Sequence, residues 1–212
     1  MKHEHFQEIN STQDYLLERN PRDEYLVSCD TQTDGRGRYG RKWENTEGSL
    51  CFSFTLRAGA VMTHAPLEVA VLINQYFENR LRVKWPNDLF DKSLKKCGGI
   101  LIDTKGSTLT VGVGLNLSAS SDYGHILEEA EFKNIEKKHL AGKIYQYILD
   151  NRLHGDKVIE LWERYCIHMN QEVTIDETKG NFIGLGPEGE AMLNVQGDHT
   201  KSFFTGSLSF KA

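Results

Sequence analysis

A loop in which glycine alternates with arginine carries the strongest chemical signal in the chain: Gly35-Arg36-Gly37-Arg38-Tyr39-Gly40-Arg41-Lys42-Trp43. Glycines let a backbone approach a ligand closely and adopt positive φ. Arg36, Arg38, Arg41 and Lys42 gather positive charge here, in a chain whose formal net charge is -5. Guanidinium groups are bidentate donors to phosphate and carboxylate. The segment therefore reads as a loop that closes over an anion and moves when empty. A solvated basic loop is the bland alternative, and the interleaved glycines and terminal Trp43 weigh against it. Two familiar glycine motifs fail on context. Gly35, Gly37 and Gly40 match GxGxxG, but the segment runs into a strand and no acid follows about 20 residues on. Gly40 precedes Arg41-Lys42 rather than Lys-Ser/Thr, so it is no P-loop.

Three further segments carry reactive or permissive residues. In Lys84-Trp85-Pro86-Asn87-Asp88 the proline ends a strand, which leaves Asn87 and Asp88 at its end. Asp88 could hold Mg²⁺ or accept a proton; a turn-forming Asn-Asp pair is the alternative. In Lys95-Lys96-Cys97-Gly98-Gly99-Ile100-Leu101 a lysine beside two glycines can set a point charge against a bound anion. In Val111-Gly112-Val113-Gly114-Leu115-Asn116 two glycines share one strand face, which marks close approach of a ligand or another backbone, or a bulge.

The elements that must position these residues follow from periodicity. Ser11 or Thr12 caps a helix. Tyr25 to Cys29 reads as a buried strand. Ser49 to Arg57 is a strand with Leu50, Phe52, Phe54 and Leu56 on one face. Pro66 to Asn79 is a helix apolar nearly all round, hence internal. Arg82 to Trp85 is a short strand, and Gly99–Thr104 pairs with Ser107–Leu115 across Lys105-Gly106. Two helices present Leu140, Ile144, Tyr147 and Ile148, then Val158, Leu161, Trp162 and Tyr165. After His168 short strands recur with turn signals, as in a small barrel. The expectation is an α+β fold with residues 1–168 as one domain and 169–212 as a small β-barrel.

Composition bounds the function. The 212 residues, 39% hydrophobic and 26% charged, suit a globular domain with a small appendage. No apolar run approaches the roughly 20 residues of a membrane helix, and the start lacks a secretion signal. The negative balance disfavours a broad nucleic-acid-binding face. Cys29, Cys51, Cys97 and Cys166 form no CxxC, so reduced thiols in a cytoplasmic protein are expected. His3 and His5 are expected in a mobile terminus.

Together and in this order, the motifs closely resemble the catalytic domain of the biotin protein ligases. The resemblance rests on Ser11-Thr12-Gln13, on Gln32 through Trp43, on Lys84 through Asp88, on Lys96 through Leu101, and on Gly112 through Asn116. It implies a mixed-sheet biotin/lipoate ligase-like domain followed by an SH3-like barrel. It implies an enzyme that joins biotin to ATP, forming biotinyl-5′-AMP, and passes biotin to one lysine of a biotin carboxyl carrier domain. By resemblance Ser11, Thr12, Gln32, Gly35 and Arg36 surround the biotin ring system. Gly99, Leu101, Gly112 and Leu115 wall its apolar side. Arg38, Arg41, Trp43, Lys96 and Asn116 face the nucleotide, and Lys96, Arg38 and Asp88 serve catalysis, with Asp88 near Mg²⁺ or the incoming lysine. Gln13 departs from the more usual Asn, and Gly98 from a small residue such as Ala. Because the Ser11-Thr12 motif comes so early, no DNA-binding domain is expected ahead of it. A membrane partner is not expected either, and the family includes both monomers and homodimers. A lipoate ligase or octanoyltransferase is the alternative enzyme, and a non-catalytic binding module the alternative class.

Overall fold

The computed structural model describes residues 1–106, 108–120, 122–196 and 199–210. The chain runs Lys2–Ile9 (β1), Thr12–Arg19 (α1), Tyr25–Gln32 (β2), Ser49–Arg57 (β3), Ala65–Tyr76 (α2), Arg82–Lys84 (β4), Asp88–Phe90 (β5), Lys96–Lys105 (β6) and Thr108–Asn116 (β7). It continues with Glu129–Phe132 (α3), Lys137–Asp150 (α4), Asp156–Tyr165 (α5), Glu172–Ile175 (β8), Thr178–Leu185 (β9), Ala191–Val195 (β10), His199–Phe203 (β11) and Leu208–Phe210 (β12). The mixture is α+β, as the periodicity predicts.

A seven-stranded sheet has the order β1-β2-β3-β7-β6-β5-β4, with β1 parallel to β2 and the remaining pairs antiparallel. The alternating apolar side chains of β3 face a core that α2, α4 and α5 cover. The other side of β3 carries Cys51, Ser53 and Thr55, all buried too, beneath α1 and the Gly/Arg loop. This second face becomes the floor of the site. Ser11 caps α1 with Oγ accepting from Asp14 N at 3.2 Å, and Asn20 closes the helix in the left-handed region at φ 44°.

The N-terminus is a strand rather than a mobile segment. His3 Nε2 and His5 Nδ1 lie 2.8 and 2.9 Å from Ser28 Oγ, which ties β1 to β2. A polar edge strand shows no core periodicity, so its pattern carried no signal. β5 is a further strand, and β6 starts at Lys96, ahead of the expected Gly99. Ser107, expected to open the next strand, lies outside the described residues.

The tail forms a five-stranded antiparallel sheet, order β11-β10-β9-β8-β12. Among the described residues no ladder joins β11 to β12, so it is an open sheet and not a closed barrel. Its inward residues Val173, Phe182, Ala191 and Leu193 belong to the same core cluster as Leu72, Trp85 and Trp162. Trp85 Nε1 donates to Gly189 O at 3.2 Å, and His64 Nε2 lies 2.9 Å from Pro187 O. Glu68, almost fully buried on α2, accepts from Arg152 Nε at 2.7 Å and from Leu153 N at 2.8 Å. That pairing fastens the α4–α5 connection to the core.

Candidate active site

One row of directly opposed residues crosses the open face of the large sheet: Cys29, Cys51, Gly114, Gly99 and Asp88. Opposed residues share a face, so the glycine pair leaves a trough between two thiols and a carboxylate. A parallel row holds Ser53, Gly112 and Leu101. The trough is already used closely. A Cβ at Gly114 would stand 2.4 Å from Trp43 Cε2, and one at Gly112 would stand 2.6 Å from Gln13 Oε1. Side chains of the loop and of α1 therefore lie where any other residue would place its own. Burial pushes the Cys51 thiol up to about 12 and the Cys29 thiol upward as well, so both stay neutral.

The Gly/Arg loop folds back on itself over this floor. Trp43 N donates to Gly35 O at 2.8 Å and Gly37 N to Arg41 O at 2.6 Å, with Arg36 bridging Lys42. Tyr39 and Gly40 turn the tip with φ of 57° and 70°. Arg36 points outward, 2.7 Å from Asp14 Oδ1 and 3.5 Å from Asp103 Oδ2. Arg38 points along the cleft, with Nη1 donating to Asn87 Oδ1 at 3.3 Å. At the polar end Lys96 Nζ lies 2.7 Å from Asp88 Oδ1, and Lys84 Nζ lies 3.8 Å from Asp88 Oδ2. Lys84 is largely buried, and burial lowers its pKa while the Asp88 charge opposes that shift. At the other end Gln32 Oε1 accepts from Thr12 N at 2.8 Å and Thr12 Oγ1 at 3.0 Å. Thr12 Oγ1 also sits 2.9 Å from Ser53 Oγ.

These groups line a single cleft with a cavity volume of about 210 Å³. Of the residues singled out from sequence, Ser11, Thr12, Gln32, Arg36, Arg38, Arg41, Trp43, Asp88, Lys96, Gly99, Leu101 and Gly112 line it. Gly35, Leu115 and Asn116 do not. Gly35 is buried under the Gln32 amide and Trp43. Leu115 has the opposite strand parity to Gly112 and Gly114 and packs in the core against Gly98. Asn116 shares the cleft parity but is buried, with Oδ1 accepting from Ser49 Oγ at 3.1 Å. The cleft also includes residues that sequence reasoning did not assign to it: Gln13, Ser53, Lys84, Asn87, and Gly206, Ser207 and Leu208 from the tail. Gln13 Nε2 donates to Asp103 Oδ2 and Thr110 O, while its buried Oε1 has no partner. Lys84 and Asn87 stood inside a motif already quoted, whereas the tail residues had no local signal.

Residues 5–118 match the biotin/lipoate A/B protein ligase family, a span that takes in the whole floor and the Gly/Arg loop. The chain belongs to that family. It is 32% identical over 234 residues to the bifunctional ligase/repressor BirA of Escherichia coli (strain K12), covering 96% of this chain and 72% of that protein. It is 27% identical to the biotin–protein ligase of Homo sapiens over 87% of its own length, and it spans only 30% of that protein. The solved biotin protein ligase from Aquifex aeolicus, in complex with biotin and ATP, superposes with a TM-score of 0.79 at 28% identity, covering 99% of this chain and 98% of that one.

In this family member a Mg²⁺ would be held by ATP phosphates with Asp88 as the carboxylate of the cleft, rather than by a protein cage. Among the described residues no three His, Cys, Asp or Glu side chains cluster. Without ligand, Asp88 is the counter-ion of Lys84 and Lys96. Among the described residues no helix is long and apolar enough to cross a membrane.

Proposed function

We propose that this chain is an ATP-dependent biotin protein ligase. It activates biotin to biotinyl-5′-AMP and transfers the biotinyl group to a lysine of a biotin carboxyl carrier domain. The observation that carries the reading is the trough of Gly99 and Gly114, closed by Trp43, with Lys96, Lys84 and Arg38 gathered at its polar end. The cleft beside Trp43 takes a slender apolar acid, and its carboxylate meets the cations. The human relative, a biotin–protein ligase, and the Aquifex aeolicus ligase bound to biotin and ATP support the same substrates.

The chemistry follows from the charges. A carboxylate oxygen attacks the α-phosphorus of ATP, an O–P bond forms, and the bond to the leaving pyrophosphate breaks. Two anions must meet, and Lys96 and Arg38 offset the charge that concentrates between them. Asp88 orients Lys96 for that role. In the second step the acceptor amine bonds to the acyl carbon, AMP leaves with the electron pair, and the amine gives up a proton to Asp88 or to solvent. Thr12 and Gln32 hold the polar ring system; with Oε1 occupied by Thr12, Gln32 offers its amide N–H groups. Trp43 covers the intermediate and keeps water from the mixed anhydride. Arg36 and Gly35 act through the backbone of the loop stem, and Arg41 and Asn116 serve the nucleotide side. Residues 169–212 are read as a small domain that completes that side. The reading places the enzyme in the cytoplasm, with a carrier domain as partner and neither DNA nor membrane, working as a monomer or homodimer.

The test is to follow pyrophosphate on mixing the protein with ATP and either biotin or lipoate, then to weigh an acceptor carrier domain. Biotin-dependent release and a biotin-sized mass shift are expected. Release with lipoate and not biotin overturns the substrate assignment, and no release with either overturns the reaction.

A further inference from the structure

The connection between β11 and β12 reaches across the cleft to the Gly/Arg loop. Tyr39 Oη lies 2.7 Å from Thr205 Oγ1. Arg38 Nη2 donates to Tyr39 Oη at 3.0 Å and to Thr205 Oγ1 at 3.2 Å, and its Nη1 donates to Gly206 O at 3.4 Å. The guanidinium also stands over the Tyr39 ring, 4.9 Å from its centroid. Neither burial nor backbone preference accounts for where Tyr39 sits. It is 62% exposed, and it holds φ 57°, a region that non-glycine residues seldom adopt. Its hydroxyl contact with Thr205 does account for it.

The tail side of this contact is braced. Ser207 N donates to Asp176 Oδ1 at 3.0 Å, and Asp176 N donates to Ser207 O at 3.1 Å. Gly206 holds φ 137°, and a Cβ there would stand 2.7 Å from Ile175 Cγ2. The loop thus leans on a seated abutment. An arginine on a flexible loop has many rotamers; here Asn87, Gly206, Tyr39 and Thr205 take the Nη donors, which fixes the plane of the guanidinium and leaves Nε–H as its free donor.

We propose that Thr205 and Tyr39 are positioning residues, a latch by which the tail sheet aims Arg38 into the cleft for adenylate formation. The kinetic half of this assignment rests on the ligase reading; the mechanical half does not. Tyr39 also lines the cleft, whereas Thr205 does not, so the Thr205 variants isolate the action of the latch through Arg38.

Thr205→Val, Thr205→Ser, Tyr39→Phe and the Thr205→Val/Tyr39→Phe double variant are compared with the parent protein. Backbone amide exchange across residues 36–43 is read without ligand. Exchange should quicken in Thr205→Val and in Tyr39→Phe, no further in the double variant, and should return toward the parent in Thr205→Ser. Both side chains are exposed, so the melting temperature should hold. In pyrophosphate release the kcat should fall roughly 10-fold in Thr205→Val while KM for biotin stays within about twofold, because positioning is lost and binding is not. Unaltered exchange at 36–43 in Thr205→Val overturns the latch whatever the activity. Faster exchange with unchanged kcat overturns its catalytic role. A parent protein that releases no pyrophosphate sinks the ligase reading instead, and the exchange result then stands by itself.

Discussion

Gly114→Ala is the sharpest perturbation of the trough, and its neighbour supplies the control. An added Cβ at Gly114 would stand 2.4, 2.5 and 2.9 Å from Trp43 Cε2, Cζ2 and Cδ2. Carbon atoms rest at about 3.5–4.0 Å, so the indole must withdraw by about 1 Å or more. At Gly99, directly opposite on the same face, the nearest atom is Trp43 Cζ3 at 3.4 Å, already close to ordinary contact. Overpacking of this kind costs about 1–3 kcal/mol. At 1.4 kcal/mol per tenfold, the seated position of Trp43 loses roughly 5- to 140-fold in population. The cost falls on loop closure and not on folding, because the displaced ring is held by the loop and lies outside the core. Biotin titration calorimetry should show a weakening of that size in Gly114→Ala and less than about threefold in Gly99→Ala. Trp43 fluorescence should become more open to a soluble quencher in Gly114→Ala alone, since Trp85 and Trp162 are buried and report little. Equal effects at the two glycines, or an unaltered Gly114→Ala, would refute the trough as the seat of Trp43.

Three other perturbations test separate parts of the structure. Lys96→Ala should abolish pyrophosphate release and largely keep biotin affinity; a variant that still turns over removes Lys96 from the mechanism. Arg152→Ala should cost about 3 kcal/mol in urea unfolding, because it strands the buried Glu68 carboxylate, and a loss below about 1 kcal/mol would contradict that burial argument. His168 is fully buried with neither ring nitrogen partnered, and burial pushes its pKa from 6.5 down to about 3. Between those values only the unfolded chain takes the proton, so stability falls as pH drops through that window. His168→Phe should remove up to about 1.4 kcal/mol per pH unit of that slope, and an unchanged slope in urea melts at several pH values would show that His168 does not set it.

The candidate site was legible where its parts are contiguous. The Gly/Arg loop, the Lys84–Asp88 segment and the paired glycines each announce themselves within a few residues. Strand parity alone puts Gly112 and Gly114 on one face. The same parity turns Leu115 to the core, a distinction available from alternation but hidden when the motif is read as a string. Asn116 has the right parity, yet its hydrogen bond from Ser49 depends on register with β3, which local spacing does not encode. β1 escaped notice because an edge strand with histidines and glutamates shows no apolar rhythm. The reach of Thr205 and Gly206 to Arg38 joins residues far apart in the chain, and only the packing of the tail sheet brings them together.

The floor beneath the loop is graded from one end to the other. It begins at the Thr12, Gln32 and Ser53 hydrogen-bond group, passes the glycine strands that Trp43 covers, and ends at a carboxylate flanked by two ammonium groups. A rod-shaped guest with one anionic tip meets a different environment in each of its two orientations. Reversed, it would set its charge at the Thr12–Gln32 end, away from Lys84, Lys96 and Arg38 gathered at the other. The sheet thus acts as a polarity filter, sorting head from tail before any bond is made.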